Sequence, residues 1–187
     1  MTVLLLEPHL QAVDDAVLFA TYTLLRERPH VVTVCSDARV QERYGIDGVE
    51  RRYEGYRAMK SLSIDHDDLF LRDDDLDVEY LERSLRVRDE LLSPGIVWAP
   101  LPEEFDGHAQ HDLVAQYAEK VFGRDRLRFY ATYRRGSART RTETEVTPEP
   151  HWPALKFKAM ACYESQINLD NTRPWFAADD MLREWVA

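Results

Sequence analysis

Glycine is scarce in this sequence, with 7 among 187 residues. None of them builds a Gly-x-Gly-x-x-Gly turn behind the first apolar run, and no Walker loop occurs. The two common phosphate-cradling loops are therefore excluded, and with them a nucleotide-binding reading of the chain. Cysteine is rarer still: Cys35 and Cys162 make neither a disulfide framework nor a zinc pattern of the cysteine type. Basic residues are outnumbered, 24 Lys and Arg against 34 Asp and Glu, for a net charge of −10. That balance favours solubility and opposes a broad nucleic-acid or anionic-membrane surface. Long apolar runs are also missing, and nothing is long enough to span a bilayer. The run Val3 to Leu6 is too short for a signal peptide and has no basic region before it, so a soluble, cytoplasmic protein is expected.

What is present is an ordinary globular composition, 44% apolar and 31% charged, and a length that suits one domain over residues 1–187 with a substantial core. Short apolar runs alternate with helical periodicity. Val3–Leu6, the β-branched run His30–Cys35, Leu69–Leu71, Ile96–Pro100 and Leu127–Tyr133 read as strands. Helices are expected over Asp14–Leu25, Val49–Leu62, Asp77–Leu92, Asp112–Val121, Ala154–Leu169 and Asp179–Val186. Pro29 ends the first helix, and Ser93-Pro94-Gly95 stops the third. The order predicts an α/β fold: a Rossmann-like, doubly wound, mostly parallel sheet of about five strands with helices on both faces. Pro148–Pro153, with Trp152, reads as a linker. Tyr53, Tyr56, Met59 and Leu62 form a helical stripe that reads as core packing.

Chemistry-bearing residues gather at two predicted strand-to-helix junctions. Glu7-Pro8-His9 follows the first strand, and Asp14-Asp15 opens the first helix. Much later, Gly107-His108-Ala109-Gln110-His111-Asp112 opens another. In open α/β sheets ligands bind outside the carboxyl ends of the strands, so the two clusters suggest one divalent-metal site. Each has a plainer alternative. Asp14-Asp15 could be only a helix cap, and His108 and His111 a pair of surface histidines. Ser36-Asp37-Ala38 could line the same crevice or be a simple turn. The acidic run Asp65 to Glu79 reads as a solvated face rather than a calcium loop. Arg134, Arg135, Arg139 and Arg141 form the one markedly basic patch, either an exposed loop or a contact for an anionic group.

The paired clusters resemble the PIG-L/LmbE-like de-N-acetylases. That family carries Pro-His-x-Asp-Asp after its first strand and His-x-x-His late in the fold. Here Pro8-His9 and Asp14-Asp15 are separated by Leu10-Gln11-Ala12-Val13, a spacer longer than the family's, and His108-x-x-His111 matches without a gap. Weaker echoes are Arg51-x-x-Glu54, Phe70-Leu71 followed by Asp75, and Lys158 with Ser165-Gln166. The resemblance implies a metal-dependent deacetylase acting on an N-acetylated sugar or a related small molecule. His9, Asp15 and His111 would hold the ion, a set that suits Zn2+ but also Fe2+ or Co2+. Asp14 would be the general base, and His108 would stabilise the oxyanion or protonate the leaving amine. Asp75 would bind a sugar hydroxyl. Arg51 would reach the substrate, or else form only a surface pair with Glu54. A catalytically inactive member serving as a binding module is the alternative.

Overall fold

The computed structural model describes residues 1–9, 15–36, 45, 47–72, 75–102, 109–132, 143–167 and 182–187, with His9 described by its backbone alone. The chain opens with strand β1, Val3–His9. Two short helices follow, α1 (Asp15–Phe19) and α2 (Thr21–Glu27). Strand β2 is His30–Cys35, helix α3 Gly48–Ser61, strand β3 His66–Asp68 and helix α4 Val78–Leu92. Next come strand β4 (Ile96–Pro100), helix α5 (Ala109–Phe122) and strand β5 (Leu127–Tyr130). Strand β6 (Thr144–Glu145), helices α6 (Trp152–Met160) and α7 (Glu164–Ile167) and strand β7 (Trp185–Val186) complete the described residues.

Among the described residues the sheet has seven strands, in the order β3-β2-β1-β4-β5-β7-β6. The first five run parallel, and β7 lies antiparallel to both β5 and β6. The expected α/β fold with helices on both faces is present, extended by an antiparallel edge. Strand alternation divides the core. Leu4, Leu6, Val32 and Val34 face α4 and α5, whereas Leu5 and Val31 face α1, α2, α3 and α6. Burial on both faces explains why β1 and β2 read as nearly continuous apolar runs. Asp47 and Asp77 cap α3 and α4, accepting backbone N–H groups of Val49 and Tyr80, each at 2.8 Å, as short acceptors at helix starts do. Among the described residues no helix is long and apolar enough to cross a membrane.

Several local expectations are corrected. The first helix breaks at Ala20, whose φ of −136° is not helical. The third strand is His66–Asp68 rather than Leu69–Leu71, since it is the polar segment whose backbone aligns with β2. Trp152 is no linker residue: it is buried and starts α6, with Pro153 in the first turn where no N–H is needed. The helix expected over Ala154–Leu169 is two helices, α6 and α7. Of the helix expected over Asp179–Val186, the described part holds strand β7, because Val186 pairs with Tyr130 and Thr144. The stripe on α3 splits: Met59 and Leu62 are buried, but Tyr53 and Tyr56 are exposed.

Candidate active site

The site begins with a carboxylate that the strand pattern alone does not explain. Glu7 stands in β1 between apolar residues and is fully buried. A buried charge is costly unless hydrogen-bonded, and here it is. Its Oε2 accepts the Thr33 hydroxyl at 2.8 Å, and its Oε1 accepts the Ala16 backbone N–H at 3.2 Å. Glu7 therefore ties the neighbouring strand β2 and the start of α1 to the end of β1.

That tie places Asp15, the first residue of α1, inside the protein at 0% exposure. The third residue of α5, His111, approaches it from the other side of the sequence. Its Nε2 lies 3.2 Å from Asp15 Oδ2, and both side chains are buried. The other ring nitrogen, Nδ1, lies 2.9 Å from Thr132 Oγ1, just beyond β5. When Nδ1 carries the proton and donates it to Thr132, Nε2 turns its lone pair towards a carboxylate oxygen. Two acceptors facing each other at that distance suit a shared cation, and a partner that fixes the far nitrogen is the usual companion of a metal-binding imidazole. The donor chemistry of Asp15 and His111 thus fits a divalent metal. Among the described residues no group of three or more such side chains comes together.

The two clusters, 96 positions apart by their numbers (111 − 15), meet in space. The surface alternative fails for His111, which is buried. His9 occupies the last position of β1, paired in register with Cys35, which puts its backbone at the same sheet end. Asp14, His108, Asp37, Ala38 and the four arginines of the basic patch lie outside the described residues.

A second polar cluster joins two of the weaker echoes. Arg51 and Glu54 are both buried, with Nη1 and Oε2 3.8 Å apart, so the surface-pair reading of Arg51 is overturned. The guanidinium lies over the Tyr163 ring at 4.7 Å, a cation–π contact strengthened by burial. Glu54 accepts from the backbone N–H of Ser165 at 2.6 Å and from its hydroxyl at 2.7 Å. Gln166 Nε2 donates to Ser165 Oγ at 3.0 Å. Arg51-x-x-Glu54 and Ser165-Gln166 therefore form one structural unit, while Lys158 is exposed. Asp75 is exposed on the approach to α4.

Glu7, Thr33 and Thr132 are the polar residues that sequence reasoning did not assign. For Glu7 a signal existed, a carboxylate interrupting a buried strand. Thr132 carried none, since only the packing of α5 against β5 brings it to His111.

Comparison with solved structures follows this geometry. No family model matches the sequence, and no curated protein matches it. The fold is shared with Orf2, a deacetylase of the teicoplanin biosynthetic pathway. One Orf2 structure, a triple mutant, superposes with a TM-score of 0.76 at 19% identity over 97% of this chain and 90% of that one. Its zinc-inhibited form gives 0.72 at 17%, over 89% and 85%. The N,N'-diacetylchitobiose deacetylase of Pyrococcus horikoshii gives 0.66 at 21%, over 94% and 75%. The same fold also carries another reaction: GalB, a 4-carboxy-2-hydroxymuconate hydratase from Pseudomonas putida KT2440, gives 0.66 at 15%, over 94% and 83%.

Proposed function

We propose that this chain, which has the fold of the PIG-L/LmbE-like deacetylases, is a single-domain, cytoplasmic, metal-dependent de-N-acetylase of N-acetylated sugars or related small molecules. The observation that carries the reading is the meeting of Asp15 and His111, with His111 oriented by Thr132. In it His9, Asp15 and His111 hold Zn2+, Fe2+ or Co2+. When bound, such an ion lowers the pKa of water and polarises the acetamide carbonyl.

The chain's own residues do the rest. Asp14, beside the ligand Asp15, takes a proton from the attacking water. The water oxygen bonds to the acetyl carbon, and charge develops on the carbonyl oxygen. His108 stabilises that charge or gives a proton to the departing nitrogen. The C–N bond breaks, leaving acetate and a free amine. Thr132 holds the His111 ring so that Nε2 faces the site. Asp75 is accessible to a sugar hydroxyl. Arg51 is assigned to the substrate by the family resemblance, and its guanidinium is buried between Glu54 and the Tyr163 ring.

The long spacer between His9 and Asp14 favours a second reading, a binding module without activity. Loop length by itself does not forbid convergence, because closure entropy grows slowly with length. The test is incubation with a panel of N-acetyl sugars, assayed for released acetate, alongside metal analysis after dialysis of the wild type and His111→Ala. One divalent ion per chain, lost in the variant, with acetate released by the wild type only, is expected. A wild type that takes up no added zinc, iron or cobalt would leave the binding module.

A further inference from the structure

The two tyrosines that sequence periodicity assigned to the core instead line an open cleft between α3 and β3. Tyr53 is 64% exposed and Tyr56 51%, and Phe70, just past β3, is 56% exposed. With Arg52, His66 and Asp68 they border a volume of about 480 Å³, within the roughly 300–1,000 Å³ usual for small-molecule sites. Large aromatics exposed together on one surface mark a contact site more often than chance scatter does.

The polar groups of the cleft are specific as well. Asp68 is not the solvated acid that the run Asp65 to Glu79 suggested. Its Oδ1 is buried without a hydrogen-bond partner among the described residues. Burial holds its carboxyl above the usual range, against the pull of His66, Arg52 and a hydrogen bond from Ser36. The Arg52 guanidinium lies over the Phe70 ring at 5.5 Å. Phe70 has a φ of +57°, a left-handed conformation that a bulky side chain rarely adopts, and its N–H donates to Ser36 Oγ at 3.1 Å. Ser36 directly follows β2, so the backbone of Phe70 is tied to the carboxyl ends of the strands.

The strand register relates the cleft to the candidate active site. Glu7 pairs with Thr33, and Thr33 with Asp68, in one row across β1, β2 and β3. Adjacent strands lie about 4.8 Å apart, so Asp68 stands roughly 10 Å from Glu7 along that row.

We propose that this cleft is a carbohydrate subsite that holds a neutral sugar ring of the substrate other than the one that is deacetylated. The choice of a sugar rests on the deacetylase reading above, and the chemistry of the cleft supports it independently. The C–H faces of a pyranose pack on exposed aromatic rings, while its hydroxyls offer paired donors and acceptors to a carboxylate and a guanidinium. An acyl chain would call for an apolar lining, but Arg52, His66 and Asp68 make up half of the residues that border this cleft. A phosphate would face Asp68.

Cellobiose tests this without any reaction, since it carries no acetamide. Titrated into the wild type and followed by NMR of the aromatic side chains, it should shift Tyr53, Tyr56 and Phe70 saturably. Tyr53→Ala and Phe70→Ala should each weaken that binding about tenfold or more, and Tyr53→Phe should retain it. In turnover assays Tyr53→Ala should raise KM for N,N'-diacetylchitobiose and leave N-acetylglucosamine hydrolysis unchanged. Thermal unfolding of each variant confirms folding, and both substituted side chains are exposed. Absence of a saturable shift with cellobiose overturns the subsite, as do shifts produced by decanoate or a short aromatic peptide but not by cellobiose. Cellobiose binding in the cleft without acetate release from any N-acetyl sugar keeps the subsite and overturns the deacetylase reading. Acetate release with cellobiose silent does the reverse.

Discussion

Asp15 with His111 and Lys156 with Glu184 are both buried acid–base pairs, and they are built for different ends. In the second, Lys156 Nζ lies 2.7 Å from Glu184 Oε1, with both side chains at 1% exposure or less. Glu184 also accepts the Tyr22 backbone N–H at 2.7 Å. Burial holds the Lys156 pKa below its ordinary value and the Glu184 pKa above its own, and each group's charge and hydrogen bond oppose that shift on the other. Opposite charges cancel, and the pair clamps the C-terminal segment beside β7 onto α6 and α2. In the first pair a carboxylate meets a ring nitrogen that is an acceptor when Nδ1 carries the proton and donates it to Thr132. Burial is therefore common to both; what separates them is that Lys156 and Glu184 carry opposite charges, whereas Asp15 and His111 are both of metal-donor type.

Breaking each pair in turn sharpens that contrast. The largest effect is expected at Asp14, which precedes Asp15 in the sequence. Asp14→Asn should lower turnover by roughly 10²–10⁴ while metal content and unfolding midpoint stay near wild type. Full activity in Asp14→Asn would mean that the base is another residue.

At the second pair the loss should appear in stability instead. Removing one partner strands a buried charge, so Glu184→Gln should cost about 3–5 kcal/mol in urea unfolding, with bound metal per folded chain unchanged. Replacing both partners, Lys156→Met with Glu184→Leu, should recover much of that loss. Metal loss in Glu184→Gln, measured on folded protein, would break the division between the two pairs.

A finer probe is the hydroxyl behind His111. Thr132→Val removes the partner of Nδ1 and should weaken metal affinity roughly 10–100-fold, as loss of such orienting groups does. Competition with a chelator measures it. Unchanged affinity would show that α5 packing alone orients the ring.

The smallest effect concerns Asp68, a partly buried acid whose nearby basic residues, His66 and Arg52, do not outweigh the cost of its burial. Its pKa is raised above the ordinary 3.8 by burial. The stability it contributes is then fully present below that ordinary value and lost as pH rises through the raised one. The stability of Asp68→Asn relative to wild type should therefore improve between about pH 4 and pH 7. Urea midpoints across that range give the sign, and a flat difference would contradict the raised carboxyl.

Much of the architecture was legible because a doubly covered parallel sheet leaves a strong mark on sequence. The runs Val3–Leu6, His30–Cys35 and Ile96–Pro100 had to be largely apolar, and they are, with His30 and Thr33 the polar members of the second. Asp77 and Ser93 marked the ends of α4 through capping and a break. The misses share a cause. His66–Asp68 is polar, with no apolar run to show it, and becomes a strand only because β2 offers it an edge. Val186 becomes part of a strand through distant partners. Tyr53 and Tyr56 have the spacing of core residues, but on α3 they border the open cleft beside β3.

For the site, sequence determined the chemistry available: imidazoles and carboxylates at two strand-to-helix junctions, and no phosphate loop. Those are properties of local pattern and composition. Which donors meet was decided only in three dimensions. The parallel order β2-β1-β4-β5 brings the end of β1 beside the start of α5 and the residue past β5. That is how Asp15, His111 and Thr132 come together, and how Arg51 and Ser165 share Glu54. Spacing along a chain fixes which side chains share one helix or strand, whereas contacts between elements depend on strand order and on burial, which no local stretch encodes.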